Sequence, residues 1–342
     1  MIAIVGGGLA AAKVVEGYRA AGGTDDVVVW SQDPRGPYHR PGLSKRVLRG
    51  EAPPESVLID LEGAELRFER LDSLPDADVV VIATGARPRV LDGALPLRTL
   101  DDSLELRRRA ETTKEAVVVG GGFIGCEVTA SLTQLGVQVT HIVRDQRLFP
   151  VLGCPPLSAM LEETFRANGV DLRLEATEIP EAELVVAGIG VEPNVELARQ
   201  AGLEVRSGVV VDERFATARP GVYAVGDVAE FYDPVFRRHR RIEHWSNAAY
   251  HGTTLGRILA GEDARYDTVS SFFSEQFGKS FKSFGDATGH DETWLEGDFA
   301  DGNAIFRLLR EGRVVAAVTM GQDEHAENAL KDEIRAGAAA PA

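Results

Sequence analysis

The sequence predicts an α/β fold with two strand–turn–helix units of one kind, followed by a small α+β domain. Two stretches carry the first part of this prediction, "IAIVGGGLAA" at Ile2–Ala11 and "VVVGGGFIGCE" at Val117–Glu127. In each, an apolar run leads into a glycine turn and then into small residues, as a buried strand followed by a helix does. In "NAIFRLLREGRVVAAVTM" (303–320), apolar residues alternate around Glu311-Gly312, which predicts a β-hairpin.

Two sets of residues fit the Rossmann fingerprint G-x-G-x-x-G/A: Gly6, Gly8 and Ala11, and then Gly120, Gly122, Phe123, Ile124 and Gly125. The first glycine allows the tight turn, the second lets backbone approach a pyrophosphate, and the third position keeps helix and strand close. One copy is a weak signal, because such turns also serve packing alone. Two copies after β-branched runs predict two Rossmann-like dinucleotide-binding domains.

An acidic residue about 20 positions after such a unit usually binds the ribose hydroxyls. After the first unit, "VVVW" (Val27–Trp30) predicts the second strand, and Asp33 follows it. Asp33 comes slightly late, so it is either the ribose ligand or an ordinary loop carboxylate.

The second unit lacks this acid at the expected position. The predicted strand Val137–Val143 is followed by Arg144 and Arg147, whose guanidinium groups suit a 2′-phosphate. Asp145 leaves the choice of NADH or NADPH open, and we favour NADPH.

Composition and charge restrict the functional class. The chain has 342 residues, 44% hydrophobic and 26% charged, which suits two or three folded domains. The net charge of −16 argues against nucleic-acid binding, which needs a basic surface. The sequence has no apolar run of about 20 residues and no secretory leader, so we expect a cytoplasmic protein that does not bind membranes.

The cysteine content excludes one kind of redox chemistry. The only two cysteines, Cys126 and Cys154, are far apart, which indicates a reducing compartment without a disulfide framework. No Cys-x-x-Cys pair is present, so a dithiol–disulfide centre is excluded. Cys126 is interpreted as a small buried residue, and no metal site is expected.

Further segments add a family resemblance. They are, in order, "GPYHRPGLSK" (36–45), "VVVIATGARPR" (79–89), "GVYAVGDVAEF" (221–231), "RIEHWSNAAYHG" (241–252) and "SSFFSEQFGKSFKSFGDA" (270–287). Together they resemble the FAD-dependent ferredoxin and rubredoxin reductases that supply electrons to oxygenases and cytochromes P450. That family is related to apoptosis-inducing factor. The resemblance runs from Ile2 to about residue 320.

The resemblance implies specific FAD ligands. Gly6, Gly8 and Ala11 would hold the pyrophosphate, Thr84 and Gly85 would lie at the domain crossover, Asp227 would bind the ribityl chain, and Arg40 would line the flavin region. Lys45 would lie beside the flavin N5 edge, and Glu127 would approach it from the helix of the second unit. A lysine there stabilises the anionic reduced ring, and its carboxylate partner offsets the cost of burial.

The resemblance also places Trp245, with Glu243 and His244, near the flavin edge, where an aromatic ring can stack on nicotinamide or relay electrons. The alternative for Trp245 is a half-buried core residue. The implied domains are a split FAD domain (1–112 and 213–264), an NAD(P) domain (113–212) and a C-terminal α+β domain (265–335). A closing helix would end near Gly337, and we expect residues 336–342 to be a disordered tail.

The predicted function is a flavoprotein reductase that passes hydride from NAD(P)H to FAD and electrons to a small iron–sulfur protein, a ferredoxin or rubredoxin. No cysteine lies at Tyr38–Lys45, which argues against disulfide reductases and sulfenic-acid peroxidases.

The basic run "RRHRR" (Arg237–Arg241) either steers an acidic ferredoxin or is a solvated hairpin tip. Either a monomer or a homodimer is compatible with the sequence.

Departures from the family pattern keep one alternative open. Gly42 replaces a proline in the family's usual "RPPLSK". The stretches Leu66–Asp78 and Leu172–Leu184 are shorter than those of the family. The alternative is a redox-sensing flavoprotein of the apoptosis-inducing-factor type, with slow turnover and partner binding.

Overall fold

The computed structural model describes residues 1–339, which form twenty strands and seven helices. The strands are β1 (Ile2–Val5), β2 (Val27–Ser31), β3 (Glu65–Phe68), β4 (Val79–Ile82), β5 (Ala86–Pro88), β6 (Leu95–Pro96), β7 (Glu115–Val119), β8 (Gln138–Ile142), β9 (Asp171–Arg173), β10 (Leu184–Ala187), β11 (Val191–Pro193), β12 (Val209–Val211), β13 (Val222–Ala224), β14 (Ala229–Asp233), β15 (Arg238–Arg240), β16 (Ser271–Gln276), β17 (Lys279–Gly285), β18 (Glu292–Asp298), β19 (Asn303–Arg310) and β20 (Arg313–Met320). The helices are α1 (Leu9–Ala20), α2 (Leu100–Ala110), α3 (Phe123–Gln134), α4 (Pro155–Ala167), α5 (Glu196–Gln200), α6 (Trp245–Leu259) and α7 (Glu324–Ala339).

The described chain divides into two compact units. Unit one contains residues 1–39, 55–87 and 192–268, and unit two contains residues 40–54, 88–191 and the chain from 269 onward. These limits differ from the predicted domain boundaries, mainly because 40–54 and 88–112 group with unit two and 192–212 with unit one. The division into an FAD domain, an NAD(P) domain and a C-terminal domain remains a prediction.

Unit one is built on a parallel sheet with the strand order β13-β4-β1-β2-β3. Every residue of β1 and β2 is buried, and all but Ser31 are apolar, since both faces of a parallel sheet are covered. The central strand β1 leads directly into the first glycine turn and α1. A second sheet, β12-β14-β15, carries the basic run on its edge strand.

Helices α1 and α6 of unit one cross with backbone almost in contact. A Cβ added at Gly252 would lie 2.4 Å from the Ala10 carbonyl oxygen, and one at Gly256 would lie 2.4 Å from that of Val14. Real Cβ atoms do not approach so closely, so only glycine fits at these two positions of α6. The crossing fixes α6 against the helix that follows the first glycine turn.

Unit two repeats the arrangement in a second parallel sheet. Its order is β6-β10-β7-β8-β9, and the central strand β7 leads into the second glycine turn and α3. This confirms the predicted pair of Rossmann-like elements. No strand follows β9 before Leu184, in keeping with the short stretch Leu172–Leu184.

The C-terminal part of unit two is an antiparallel sheet with the order β16-β17-β20-β19-β18. The predicted hairpin is confirmed: Glu311 and Gly312 connect β19 to β20 with φ values of 52° and 72°, as a type I′ turn requires. This sheet shares one apolar core with the second parallel sheet, in which Phe149 and Phe165 pack near Phe281 and Phe306.

The chain closes with α7, which continues through Ala339 and so extends past the predicted end near Gly337. Residues 336–339 of the predicted tail are therefore helical, and residues 340–342 lie outside the described part of the chain. Within residues 1–339, no helix is both long and apolar enough to cross a membrane.

Candidate functional site

The first glycine turn follows β1. Gly6 has φ +112°, and a Cβ there would lie 2.3 Å from the Ala83 carbonyl oxygen at the end of β4. Gly8 precedes α1 without any side-chain cap, and Ala11 is fully buried. The first backbone N–H groups of α1 are thus left for an anion, which the positive end of the helix dipole attracts.

The second glycine turn has nearly the same geometry. Gly120 has φ +116°, and its added Cβ would lie 2.3 Å from the Gly188 carbonyl oxygen. A Cβ on Gly125 would lie 1.8 Å from the Gly120 oxygen, whereas one on Gly122 meets nothing within 4 Å. Gly122 precedes α3 and supplies no side-chain cap. The space above Gly122 and the uncapped helix suit a pyrophosphate.

Two spacer residues of the second turn have different surroundings. Phe123, the first residue of α3, packs edge-on against Phe149 with 5.2 Å between ring centroids and lies parallel to Phe272 at 6.2 Å. Ile124 is partly exposed beside it.

Buried His141 of β8 contacts the Gly120 carbonyl oxygen through Nε2 at 2.9 Å. Burial lowers the pKa of His141 to about 4, so the ring is neutral and donates this bond.

The residues after β2 and β8 differ in how they are held. Asp33 accepts hydrogen bonds from the Tyr38 hydroxyl (2.6 Å) and the Arg35 amide (3.0 Å), so protein donors already hold its carboxylate. Arg144 and Arg147, in contrast, are exposed. Both guanidinium groups are therefore open to solvent, as a phosphate clamp requires.

Lys45 and Glu127 form a buried ion pair within unit two. The Lys45 ammonium lies 2.6 Å from Glu127 Oε2, and the side chains are 15% and 6% exposed. Ser44 donates a very short hydrogen bond to the same oxygen, and Ser274 of β16 donates to Oε1 at 2.5 Å. Three donors thus compensate the burial of this carboxylate.

Gln276 extends this network by one step. Its Nε2 donates to Ser274 Oγ at 2.6 Å, which leaves the single Ser274 proton for Glu127. The resemblance predicts Lys45 and Glu127 as site residues, but not Ser44, Ser274 or Gln276. The last two lie within "SSFFSEQFGKSFKSFGDA", yet nothing in that segment indicates which distant carboxylate they contact.

Around the end of β4, Thr84 and Gly85 are held by Asn194. The Thr84 hydroxyl donates to the Asn194 carbonyl oxygen (2.7 Å), and Asn194 Nδ2 returns a bond to the Thr84 carbonyl (2.8 Å). Gly85, with φ +64°, accepts from the Asn194 amide. Nothing in the sequence indicates this role of Asn194.

Arg40 begins a 3₁₀ turn, Arg40–Gly42, and is partly buried.

Asp227 lies in a 3₁₀ turn, Gly226–Val228, directly after β13, and its turn contacts α6. At the start of α6, His244 is the capping residue, since its Nδ1 accepts from the Ser246 amide at 3.3 Å. Glu243 pairs closely with Arg241. The structure thus places Asp227 and the start of α6 in the same unit as the first glycine turn.

Trp245, the first residue of α6, is half-buried. Its indole N–H donates to His39 Nδ1 at 3.1 Å, and the two ring centroids are 5.7 Å apart. Burial lowers the pKa of His39, which favours the neutral ring that accepts this bond. His39 was not identified from the sequence, although it lies within the quoted "GPYHRPGLSK".

The basic run forms the turn and edge strand of the β14–β15 hairpin. Arg240 pairs with buried Asp233 at 2.8 Å and lies over the Phe236 ring. Burial raises the pKa of Asp233 despite this partner. Arg237 and Arg238 are exposed. Within the run, Arg240 and Arg241 thus pair with acidic side chains, and Arg237 and Arg238 are its exposed arginines.

Both cysteines are buried and free, and burial raises the thiol pKa of each, that of Cys154 to about 12. Neither side chain is a reactive thiolate at neutral pH. No cluster of metal-ligating side chains occurs within residues 1–339.

Comparison with known proteins agrees with this geometry. A family model for pyridine nucleotide-disulphide oxidoreductases matches residues 1–179 and 175–252. Putidaredoxin reductase of Pseudomonas putida is 32% identical over 374 residues, which cover 94% of this chain and 88% of that protein. Rubredoxin-NAD(+) reductase of Ectopseudomonas oleovorans is 28% identical over 338 residues, which cover 85% and 88%.

Solved structures show the same fold. The putidaredoxin reductase–putidaredoxin covalent complex superposes with a TM-score of 0.92 at 31% identity, covering 98% of this chain and 93% of the other. A ferredoxin reductase from Rhodopseudomonas palustris gives 0.90 at 28% identity, covering 96% and 92%. This chain belongs to the pyridine nucleotide-disulphide oxidoreductase family and, within it, to the group of ferredoxin and rubredoxin reductases.

Proposed function

We propose that this oxidoreductase takes hydride from NAD(P)H onto FAD and passes electrons to a small iron–sulfur protein of the ferredoxin or rubredoxin type. The observation that carries the proposal is the pair of glycine turns, each followed by an uncapped helix. Following the family resemblance, we assign the first turn to FAD and the second to NAD(P)H. Bound FAD would supply the redox chemistry, accepting a hydride and releasing electrons to an acceptor.

The first glycine turn would bind the pyrophosphate of FAD. Gly6 and Gly8 leave room for the pyrophosphate against α1, and Ala11 keeps α1 close to β1. The further FAD ligands we propose are Asp33, Arg40, Lys45, Thr84, Gly85, Asp227, Glu243, His244 and Trp245. Asp33 would offer its remaining lone pairs to the ribose, since Tyr38 and Arg35 occupy only part of its capacity.

Glu127 would position the Lys45 side chain beside the flavin. The hydroxyl groups of Ser44 and Ser274 share the negative charge of Glu127, so the carboxylate does not have to be neutralised by Lys45 alone. Lys45 would then have N–H groups left to donate to the flavin. We assign Trp245 the third catalytic role, in which its ring, oriented by His39, contacts nicotinamide or relays electrons.

In the second turn, Gly120, Gly122 and Gly125 would receive the NAD(P)H pyrophosphate, with Phe123 and Ile124 beside it. We propose NADPH as the better donor, because exposed Arg144 and Arg147 follow β8 where a ribose acid would otherwise lie. A cytoplasmic location also remains a prediction, and the two free cysteines are compatible with it.

The central prediction concerns electron flow. Anaerobic addition of NADPH or NADH to the purified protein is expected to bleach the visible flavin band rapidly. Adding an oxidised [2Fe–2S] ferredoxin should then restore it, and ferricyanide, which needs no docking, is the control acceptor. Slow bleaching with a long-lived long-wavelength charge-transfer band would contradict the reductase and favour the redox sensor. A protein that takes up no FAD would refute both.

The nucleotide preference gives a second prediction. Replacing Arg144 or Arg147 with Gln should lower kcat/KM for NADPH about tenfold or more, the size of a lost charged hydrogen bond, and leave NADH within about threefold. Arg166→Gln, an exposed arginine at the end of α4, is the control for loss of charge. Equal losses with both nucleotides, or a wild type that prefers NADH, would argue against the clamp.

The third prediction concerns the acceptor. Arg237→Glu and Arg238→Glu should slow ferredoxin reduction about tenfold at low ionic strength, because an acidic partner loses electrostatic steering. The effect should fade at high salt. Flavin reduction by NADPH should be unchanged, and Arg219→Glu, an exposed arginine elsewhere in unit one, should have no effect. Unaltered acceptor kinetics at low salt would identify the run as an ordinary solvated hairpin.

A further inference from the structure

His251 is a fully buried histidine of α6 whose role the proposed reaction leaves unexplained. It lies next to Gly252, one of the two glycines that bring α6 against α1. The helix crossing therefore fixes the position of the imidazole relative to the first glycine turn. Buried polar side chains are normally hydrogen-bonded, so a partner for this imidazole is expected.

One ring nitrogen has such a partner. The backbone amide of Gly226 donates to His251 Nδ1 at 3.3 Å. Gly226 is at φ +75°, and its added Cβ would lie 3.0 Å from the Cβ of Ala10 on α1. This amide opens the turn that presents Asp227. Without an acceptor this amide would be a buried, unsatisfied donor, which is destabilising.

Three aromatic rings form a box around the imidazole. The centroids of Phe215, Phe231 and Tyr266 are 4.6, 4.5 and 5.4 Å from that of His251. Within the described residues, Nε2 has no hydrogen-bond partner. Since Nδ1 accepts from Gly226, the proton of the neutral ring is on Nε2. Burial lowers the pKa of His251 to about 3, although nearby Asp227 opposes the shift.

We propose that His251 is a positioning residue for FAD, because its Nδ1 fixes the Gly226–Asp227 turn and so sets how tightly the chain retains the flavin. The inference rests on the proposed function, in which Asp227 binds the ribityl chain. His251 touches neither cofactor in this scheme. It acts through the backbone of Gly226, and its ring is a neutral hydrogen-bond acceptor within the aromatic box.

The test compares two substitutions in FAD binding by the apoprotein, followed by quenching of flavin fluorescence. His251→Phe keeps an aromatic ring but removes the acceptor, and FAD should bind about tenfold more weakly. His251→Asn loses the ring but offers an amide oxygen near the position of Nδ1, and it should stay within about threefold of wild type. Unchanged affinity in His251→Phe would overturn the proposal, as would equal losses in both variants.

A second measurement does not depend on either variant folding normally. In protein labelled with ¹⁵N-histidine, the His251 ring should show a protonated Nε2 and an unprotonated Nδ1, with no titration between pH 5.5 and 8. A proton on Nδ1, or a titration in that range, would overturn the proposal while leaving the reductase function intact. Conversely, a wild type that fails to take up FAD would refute the proposed function, whatever the tautomer.

Discussion

A close approach between strands determines both candidate cofactor sites. At the end of each central strand, the first glycine lies so near a carbonyl of the adjacent strand end that an added Cβ would be 2.3 Å from its oxygen. Gly6 meets Ala83 in one unit, and Gly120 meets Gly188 in the other. With φ near +115° at both, only glycine permits the turn that directs the following helix N-terminus outward.

The rest of each unit supports that turn. In unit one, Gly252 and Gly256 allow α6 to pack against α1. On the same helix, His251 accepts a hydrogen bond from the Gly226 amide. In unit two, neutral His141 donates to the Gly120 carbonyl. In both units a buried histidine is thus hydrogen-bonded to a backbone group of a turn at the candidate cofactor site.

Local patterns predicted most of the fold, because strands, glycine turns and the Glu311-Gly312 hairpin are encoded by neighbouring residues. The grouping of residues 40–54 with unit two was not foreseeable, since it depends on contacts such as Ser44 to Glu127. Ser274 lies 147 positions from the carboxylate to which it donates. Asn194 and His251 likewise act through backbone groups of distant segments, which leaves no pattern in the sequence.

The most direct test of the glycine-turn account uses Gly122, where a Cβ meets nothing within 4 Å and the backbone is extended. Gly122→Ala should therefore fold and keep its FAD. If a pyrophosphate occupies that space, the Kd for NAD(P)H, measured by anaerobic titration of the flavin band, should rise about tenfold or more. An unchanged Kd in a normally folded variant would contradict the account, because the nucleotide would then bind elsewhere.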